Sequence, residues 1–300
     1  MKILITGVSG LIGSATQTHF QRRGHQVVGL TRDSTAADNT RLFHWDPLTG
    51  NLDPKALSGV DGVINLAGEN IAEGRWTERK KNSLVQSRIK STELLVKTIL
   101  SSSSPPSWMV NASAVGIYGD CGDEIVHESS TAATDFLGNL ALDWEGALGP
   151  LTSSSTRTIS LRFGLVLSKN GGALKKMLPI FKLGGGAVLG SGKQWVSWVS
   201  LDDVTRCLEM LATNTNLSGP VNCTSPHPVR FTTFAKTLAR VVRRPVFFKI
   251  PSIAVRILFG EMGNATLLAS CRANPAKLLE SGFKFEDPLI EPTFRRLING

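Results

Sequence analysis

An α/β fold with a doubly wound parallel sheet is predicted by two features of this 300-residue chain. Over the first 165 residues, short β-branched or apolar runs alternate with longer stretches of helical period. The runs also read as nearly continuous apolar segments, the pattern of strands covered on both faces by crossover helices.

"KILIT" (2–6) is the first strand, closed by Gly7, and "LIGSATQTHFQRR" (11–23) is a helix stopped by Gly24. "QVVGLT" (26–31) is the second strand and "RLFHW" (41–45) the third. "GVINLA" (62–67) reads as a buried strand, and a long helix over 78–100 ends at "SSSSPP" (101–106). A strand "WMVNAS" (108–113), a helix "FLGNLALDWEGAL" (136–148) and a strand "RTISLRF" (157–163) follow. Beyond residue 164 the pattern loosens. "GGALKKML" (171–178) and "GGGAVLGSG" (184–192) read as substrate-side loops and short elements. A helix over 202–214 and a short strand over 219–225 return to the sheet, and 231–242, 245–250 and 251–260 build a smaller lobe.

Composition excludes several classes. With 41% hydrophobic and 19% charged residues the chain is an ordinary soluble globular one. No segment has the length of a membrane span or a secretory h-region, so a cytoplasmic location and no membrane partner are expected. The four cysteines contain no CxxC pair, and neither disulfides nor a metal site is expected. The net charge of +9 reads as dispersed, with local density at 75–90 and 239–249. Apolar residues interleave both clusters and no nucleic-acid motif is present, so solvated helix faces are expected there, not a nucleic-acid interface. A basic chain also suits a small anionic substrate. A homo-oligomer is compatible with the sequence.

The segment "ILITGVSGLIGS" (3–14) places Gly7, Gly10 and Gly13 between a strand and a helix. Gly7 permits the tight turn, Gly10 lets backbone approach a pyrophosphate, and Gly13 lets helix pack on strand. Phosphates then meet the free N–H groups of the helix N-terminus. Dinucleotide binding follows, in a domain over 1–165 to which 200–225 returns. The smaller substrate-side lobe comprises 166–199 and 226–300. At the end of the second strand stand Thr31 and Arg32, with Asp33 one step later. Arg32 can pair with a 2′-phosphate, which an acidic residue would repel, so NADP(H) is favoured over NAD(H); in the other reading Asp33 contacts the ribose and Arg32 is a solvated loop residue.

The set "TGVSGLIG", "NLAG" (65–68), "SAVGIYG" (113–119) and "SLDDV" (200–204) resembles the extended short-chain dehydrogenase/reductases, Rossmann-fold epimerases and dehydratases acting largely on nucleotide sugars. "NLAGENIAEGRW" (65–76), "SRIKSTELL" (87–95), "LRFGLVLSKNGG" (161–172), "GSGKQWVSWVSLDD" (190–203) and "GFKF" (282–285) are similar to its atypical NAD-dependent epimerase/dehydratase-like subgroup. Some members of that subgroup carry a cell-division-inhibitor label. The resemblance implies that Gly7, Gly10, Leu11, Ile12 and Gly13 line the pyrophosphate and that Trp45 and Asp46 lie near the adenine. It further implies Leu66, Ala67 and Gly68 along the cofactor, Asn111, Ala112 and Ser113 near the nicotinamide ribose, and Arg162, Phe163 and Gly164 beside the nicotinamide.

The parent family's base is a tyrosine with a lysine four residues on, whose charge lowers the phenol's pKa. This chain has one tyrosine, Tyr118, and Gly122 stands four residues later, so the motif does not exist here. Ser113 and Tyr118 remain as catalytic candidates, the first to polarise a carbonyl and the second to supply a proton. Trp76, Lys193, Trp195 and Trp198 are candidates for the substrate mouth, each with a plain structural alternative. Asp202 and Asp203 read first as helix caps. His227 is a candidate acid or base, though loop histidines are commonly plain surface residues. The sequence therefore supports an NADP(H)-binding oxidoreductase for a small carbonyl or sugar-derived substrate. It also supports a non-catalytic dinucleotide sensor or scaffold.

Overall fold

A computed structural model describes residues 1–38 and 40–300. β1 (Lys2–Thr6) enters the glycine turn and α1 (Leu11–Arg22), and β2 (Gln26–Thr31) returns parallel to β1. β3 (Leu42–Asp46) extends that side, and the two-residue β4 (Asn51–Leu52) closes the edge as its antiparallel member. The chain then crosses β1. β5 (Gly62–Asn65), α2 (Glu78–Leu100) and β6 (Trp108–Ala114) build the other half of the sheet. A short β7 (Ile125–Val126) lies outside it, α3 (Phe136–Gly146) crosses back, and β8 (Arg157–Phe163) pairs with β6.

The last strand of the main sheet arrives after an excursion through β9 (Leu165–Leu167), α4 (Gly172–Lys182), β10 (Ala187–Leu189), β11 (Trp195–Val196) and β12 (Trp198–Ser200). α5 (Leu201–Thr213) then leads into β13 (Gly219–Cys223), which pairs parallel with β8. β14 (Val229–Arg230), α6 (Phe231–Val241), β15 (Phe248–Ile250), α7 (Ser252–Gly263), β16 (Arg272–Ala273), α8 (Ala276–Glu280) and α9 (Ile290–Asn299) complete the chain. The eight-stranded sheet has the order β13-β8-β6-β5-β1-β2-β3-β4. Its direction of growth reverses between β1 and β5, the switch point at which open α/β sheets bind ligands.

Alternation along the strands explains the two cores. Ile3, Ile5, Ile64 and Val110 face one layer, while Leu4, Val63 and Met109 face the other, so both faces of the sheet are dry. A third core packs α4, α6 and α9 together. The segments 171–178 and 184–192, expected as loops and short elements, hold the short strand β10 but also begin an eleven-residue helix, α4, which carries Pro179 in its interior. The flanking glycines and the internal proline concealed a helix whose buried face is Leu174 and Phe181.

Candidate functional site

The glycine turn is built by close approach. Gly7 has φ +66°, and a Cβ there would stand 2.8 Å from the Leu66 carbonyl oxygen. A Cβ on Gly13 would stand 2.1 Å from the Gly7 carbonyl oxygen, so only glycine lets α1 sit against the end of β1. Gly10 is exposed, and its amide donates to the Gly7 carbonyl at 2.9 Å. It begins α1 with no side-chain cap and no acidic residue in the first turn. The first amides of α1, from Leu11, Ile12 and Gly13, lie in the opening turn, where no intrahelical acceptor exists. A dinucleotide's pyrophosphate fits this terminus by both hydrogen bonding and dipole.

Thr31 ends β2, and its hydroxyl accepts from the Asp33 amide at 3.1 Å. The Asp33 carboxylate is spent within its own turn, accepting from the Thr35 amide at 2.9 Å and the Thr35 hydroxyl at 2.6 Å. Those bonds hold its pKa below the usual carboxylate value. Arg32 is exposed and makes no ion pair among the described residues. Of the expected adenine contacts, Asp46 is half-buried and accepts from the Leu48 amide at 2.9 Å. Trp45 is a correction: it is 3% exposed inside the second core, because the alternation of β3 turns it inward.

Leu66, Ala67 and Gly68 follow β5 directly beside the glycine turn, and the Leu66 and Ala67 amides both donate to the Thr6 hydroxyl at 3.0 Å. Beneath this crevice runs a buried polar ribbon. Thr6 donates to Asn65 at 2.6 Å, and Asn65 donates to Asn111 at 2.6 Å and to Thr92 at 3.0 Å. The Trp144 indole N–H reaches the same Thr92 oxygen at 3.0 Å. Asn111 therefore holds strand ends together with its side chain and is wholly buried, as Ala112 nearly is. The sequence reading did not single out Arg88, although its motif "SRIKSTELL" was noted. Its guanidinium lies over Trp144 and donates to the Glu69 carbonyl at 3.0 Å, bracing the loop after Gly68.

Ser113 and Tyr118, from one short segment, and Arg162, some way on in the chain, meet around a residue that sequence reasoning missed. Glu145 of α3 accepts from Arg162 Nε at 2.8 Å, from Arg162 Nη2 at 2.8 Å and from the Ser113 hydroxyl at 2.6 Å. The remaining guanidinium nitrogen donates to the Tyr118 oxygen at 2.8 Å and to the Glu128 carbonyl at 3.1 Å. The Tyr118 hydroxyl in turn donates to Asn222 Oδ1 at 2.8 Å. Burial pushes the Tyr118 phenol up to about 12, outweighing the neighbouring Arg162 charge. Both proposed catalytic hydroxyls are thus internal: Ser113 is 2% exposed and Tyr118 4%. A glutamate in an amphipathic helix reads as solvated unless its partner is known, so nothing in the sequence flagged Glu145. Phe163 and Gly164 follow Arg162 half-buried, and a Cβ on Gly164 would stand 2.7 Å from the Ser197 carbonyl oxygen.

On the substrate side a cavity of about 120 Å³ is lined by Trp76, Phe136, Asp120, Asp135, Glu261 and Asn264, with two alanines. Trp76 meets Phe136 edge to face at 5.1 Å and anchors its N–H on the Ile71 carbonyl at 2.9 Å. The carboxylates have partners: Asp135 caps α3, Glu261 pairs with Lys81 at 2.6 Å, and Asp120 accepts from the Ser270 amide at 3.1 Å. Three carboxylates therefore line this cavity. Trp195 does not line it; Arg230 and Arg272 lie over its ring at 4.2 and 4.3 Å from the centroid, and its amide donates to the Ser270 hydroxyl at 3.0 Å. Lys193 is exposed and outside the cavity. Trp198 is a correction, since it has no exposed surface and packs in the third core with its N–H on the His227 carbonyl. Asp202 and Asp203 are not the caps of α5. Ser200 is, and the buried Asp203 instead accepts from the Glu286 and Asp287 amides, each at 2.9 Å. Among the described residues no acidic, histidine or cysteine cluster fits a metal, and no helix is long and apolar enough to cross a membrane.

A Gly-rich strand-turn-helix at the switch point of a doubly wound sheet defines a dinucleotide-binding α/β protein. The model of the NAD dependent epimerase/dehydratase family matches residues 3–141, and a domain of unknown function designated DUF1731 matches residues 250–297. An epimerase family protein of Mycobacterium bovis is 44% identical over 96% of this chain and 94% of its own length. One from Bacillus subtilis is 34% identical over 99% of this chain and 98% of its own. The crystal structure of a human epimerase family protein with NADPH superposes with a TM-score of 0.91 at 30% identity, covering all of both chains. A Thermus thermophilus UDP-glucose 4-epimerase with NAD, 17% identical at a TM-score of 0.76 over 100% of this chain and 98% of its own, shares the fold. The chain belongs to the NAD-dependent epimerase/dehydratase-like family of extended short-chain dehydrogenase/reductases.

Proposed function

We propose that this protein binds NADP(H) across the carboxyl ends of β1, β2 and β5 and uses it for hydride transfer with a small, uncharged carbonyl or sugar-derived substrate. The observation that carries the reading is the cradle in which Gly7 and Gly13 admit no Cβ while the α1 N-terminus stays uncapped. Arg32, exposed and without an ion pair among the described residues beside an Asp33 occupied by Thr35, supports the 2′-phosphate preference, as does the NADPH in the human relative. The nicotinamide supplies the hydride chemistry when bound. The chain's own residues hold the pyrophosphate at α1, brace the Gly68 loop through Arg88, and close the substrate cavity with Trp76 and Phe136. Tyr118 does not supply the proton, because its phenol is bound to Asn222 and Arg162; solvent does.

The same two internal hydroxyls favour a second reading, a sensor that binds NADP(H) without turnover. Fluorescence titration with NADPH and NADH, alongside Arg32→Asp, tests the cofactor. The substitution should weaken NADPH by at least about tenfold, the scale of one lost charge-assisted hydrogen bond, and leave NADH unchanged. Failure of both cofactors to bind overturns the proposal. Cofactor consumption across a panel of neutral aldehydes, ketones and keto-sugars supports the enzyme, and NADPH binding without consumption supports the sensor.

A further inference from the structure

The positive charge is not dispersed once the fold is known. Residues 164–199 and 226–260, which build α4, β10, α6, β15 and α7 as far as its kink at Gly260, contain twelve lysines and arginines and no aspartate or glutamate; Glu261 follows in the last turn of α7. Since the chain's net charge is +9, the remainder is net negative by three (+9 less +12). The same lobe holds eight of the fifteen exposed large apolar side chains among the described residues. Leu183 is 88% and Phe247 81% exposed, with Phe248, Ile253, Ile257 and Leu258 at 60–67%. Single exposed apolar residues are ordinary, but a cluster of this kind marks an interaction surface.

Backbone bonds make the cluster contiguous. β10 and β15 pair in parallel with Ala187 opposite Phe248. Arg244 Nε donates to the Lys182 carbonyl at 2.8 Å, which ties the segment ahead of β15 to the end of α4, and the Gly190 amide donates to the Ile250 carbonyl at 2.8 Å. α7 begins two residues after β15. The cations within it are uncommitted: Lys182, Arg243, Lys249 and Arg256 make no ion pair among the described residues. Two acids of this region have partners of their own: Glu261, in the last turn of α7, pairs with Lys81, and Glu291 of α9 pairs with Arg240 and Arg295.

We propose that the β10–β15–α7 face docks on an anionic lipid surface, with Phe247, Phe248 and the α7 aliphatics entering the headgroup boundary and the surrounding lysines and arginines facing lipid phosphates. Large aliphatic and aromatic side chains ringed by unpaired cations are the composition that interfacial binding requires. A nucleic acid would neutralise the cations but leave the leucines and isoleucines in water, and a second copy of this chain would bring like charges together. The sequence-based expectation of no membrane partner rested on the lack of a spanning segment, which a surface contact does not need.

Sedimentation of the full chain with vesicles of phosphatidylcholine alone, and with vesicles of equal parts phosphatidylcholine and phosphatidylglycerol, tests this. The protein should pellet with the anionic vesicles only, and rising salt should release it. Phe247→Ser/Phe248→Ser and Lys182→Glu/Lys249→Glu should each lower partitioning by at least about tenfold, while both variants keep NADPH affinity, which reports on the separate cofactor crevice. Protein that stays in the supernatant with anionic vesicles overturns the proposal. So does binding that the phenylalanine variant leaves unchanged, with equal binding to duplex DNA, because the lobe is then a plain polycation.

Discussion

Replacing Glu145 by alanine removes both ends of its bidentate pair with Arg162 and the acceptor of the Ser113 hydroxyl, three bonds of 2.6–2.8 Å. The guanidinium side chain, 7% exposed, then keeps only the Tyr118 oxygen and the Glu128 carbonyl. Leaving one partner of a buried ion pair alone costs about 3–5 kcal/mol, more than the mean worth of the hydrogen bonds, because the orphaned charge stays desolvated. At roughly 2–4 °C per kcal/mol for a chain of this order of size, Tm falls by on the order of 10 °C. Urea unfolding of wild type, Glu145→Leu, Arg162→Leu and the double variant Glu145→Leu/Arg162→Leu, with Glu145→Ala alongside, measures the cost and its coupling. The double variant should be closer to wild type than either single change. A Glu145→Ala protein within about 1 kcal/mol of wild type would refute the claim that this pair is desolvated.

Two further outcomes follow from the same geometry. Tyr118 is the only tyrosine, so absorbance of the phenolate in folded protein reports it alone; its midpoint should lie near 12. The unfolded chain loses that proton near pH 10, so this group's stabilisation is complete below pH 10 and disappears as pH rises through 12. Ionisation at or below pH 10 in folded protein would return Tyr118 to the list of proton donors. Gly13→Ala places a methyl 2.1 Å from the Gly7 carbonyl oxygen, which displaces α1 from the glycine turn. It should abolish NADPH binding in the fluorescence titration and lower stability by about 1–3 kcal/mol; unimpaired affinity would show that the turn does not hold the pyrophosphate.

The order of the strands and helices through β8 (apart from the two-residue β4 and β7), the glycine turn and the missing tyrosine–lysine pair are properties of the sequence by itself. They depend on local periodicity, on backbone regions open to glycine, and on residue counts, none of which needs a partner distant in the chain. Only the tertiary structure decided the role of residues whose environment comes from elsewhere. Ser113, Tyr118 and Arg162 looked like independent members of a site until Glu145 and Asn222 closed on them. Trp45 and Trp198 looked available until the pleat turned them inward, and α4 stayed hidden behind its flanking glycines. The charge asymmetry was visible residue by residue, but it became a surface only when β10 and β15 paired and brought two acid-free segments together. Burial and pairing are long-range, and a short stretch of sequence carries no term for either.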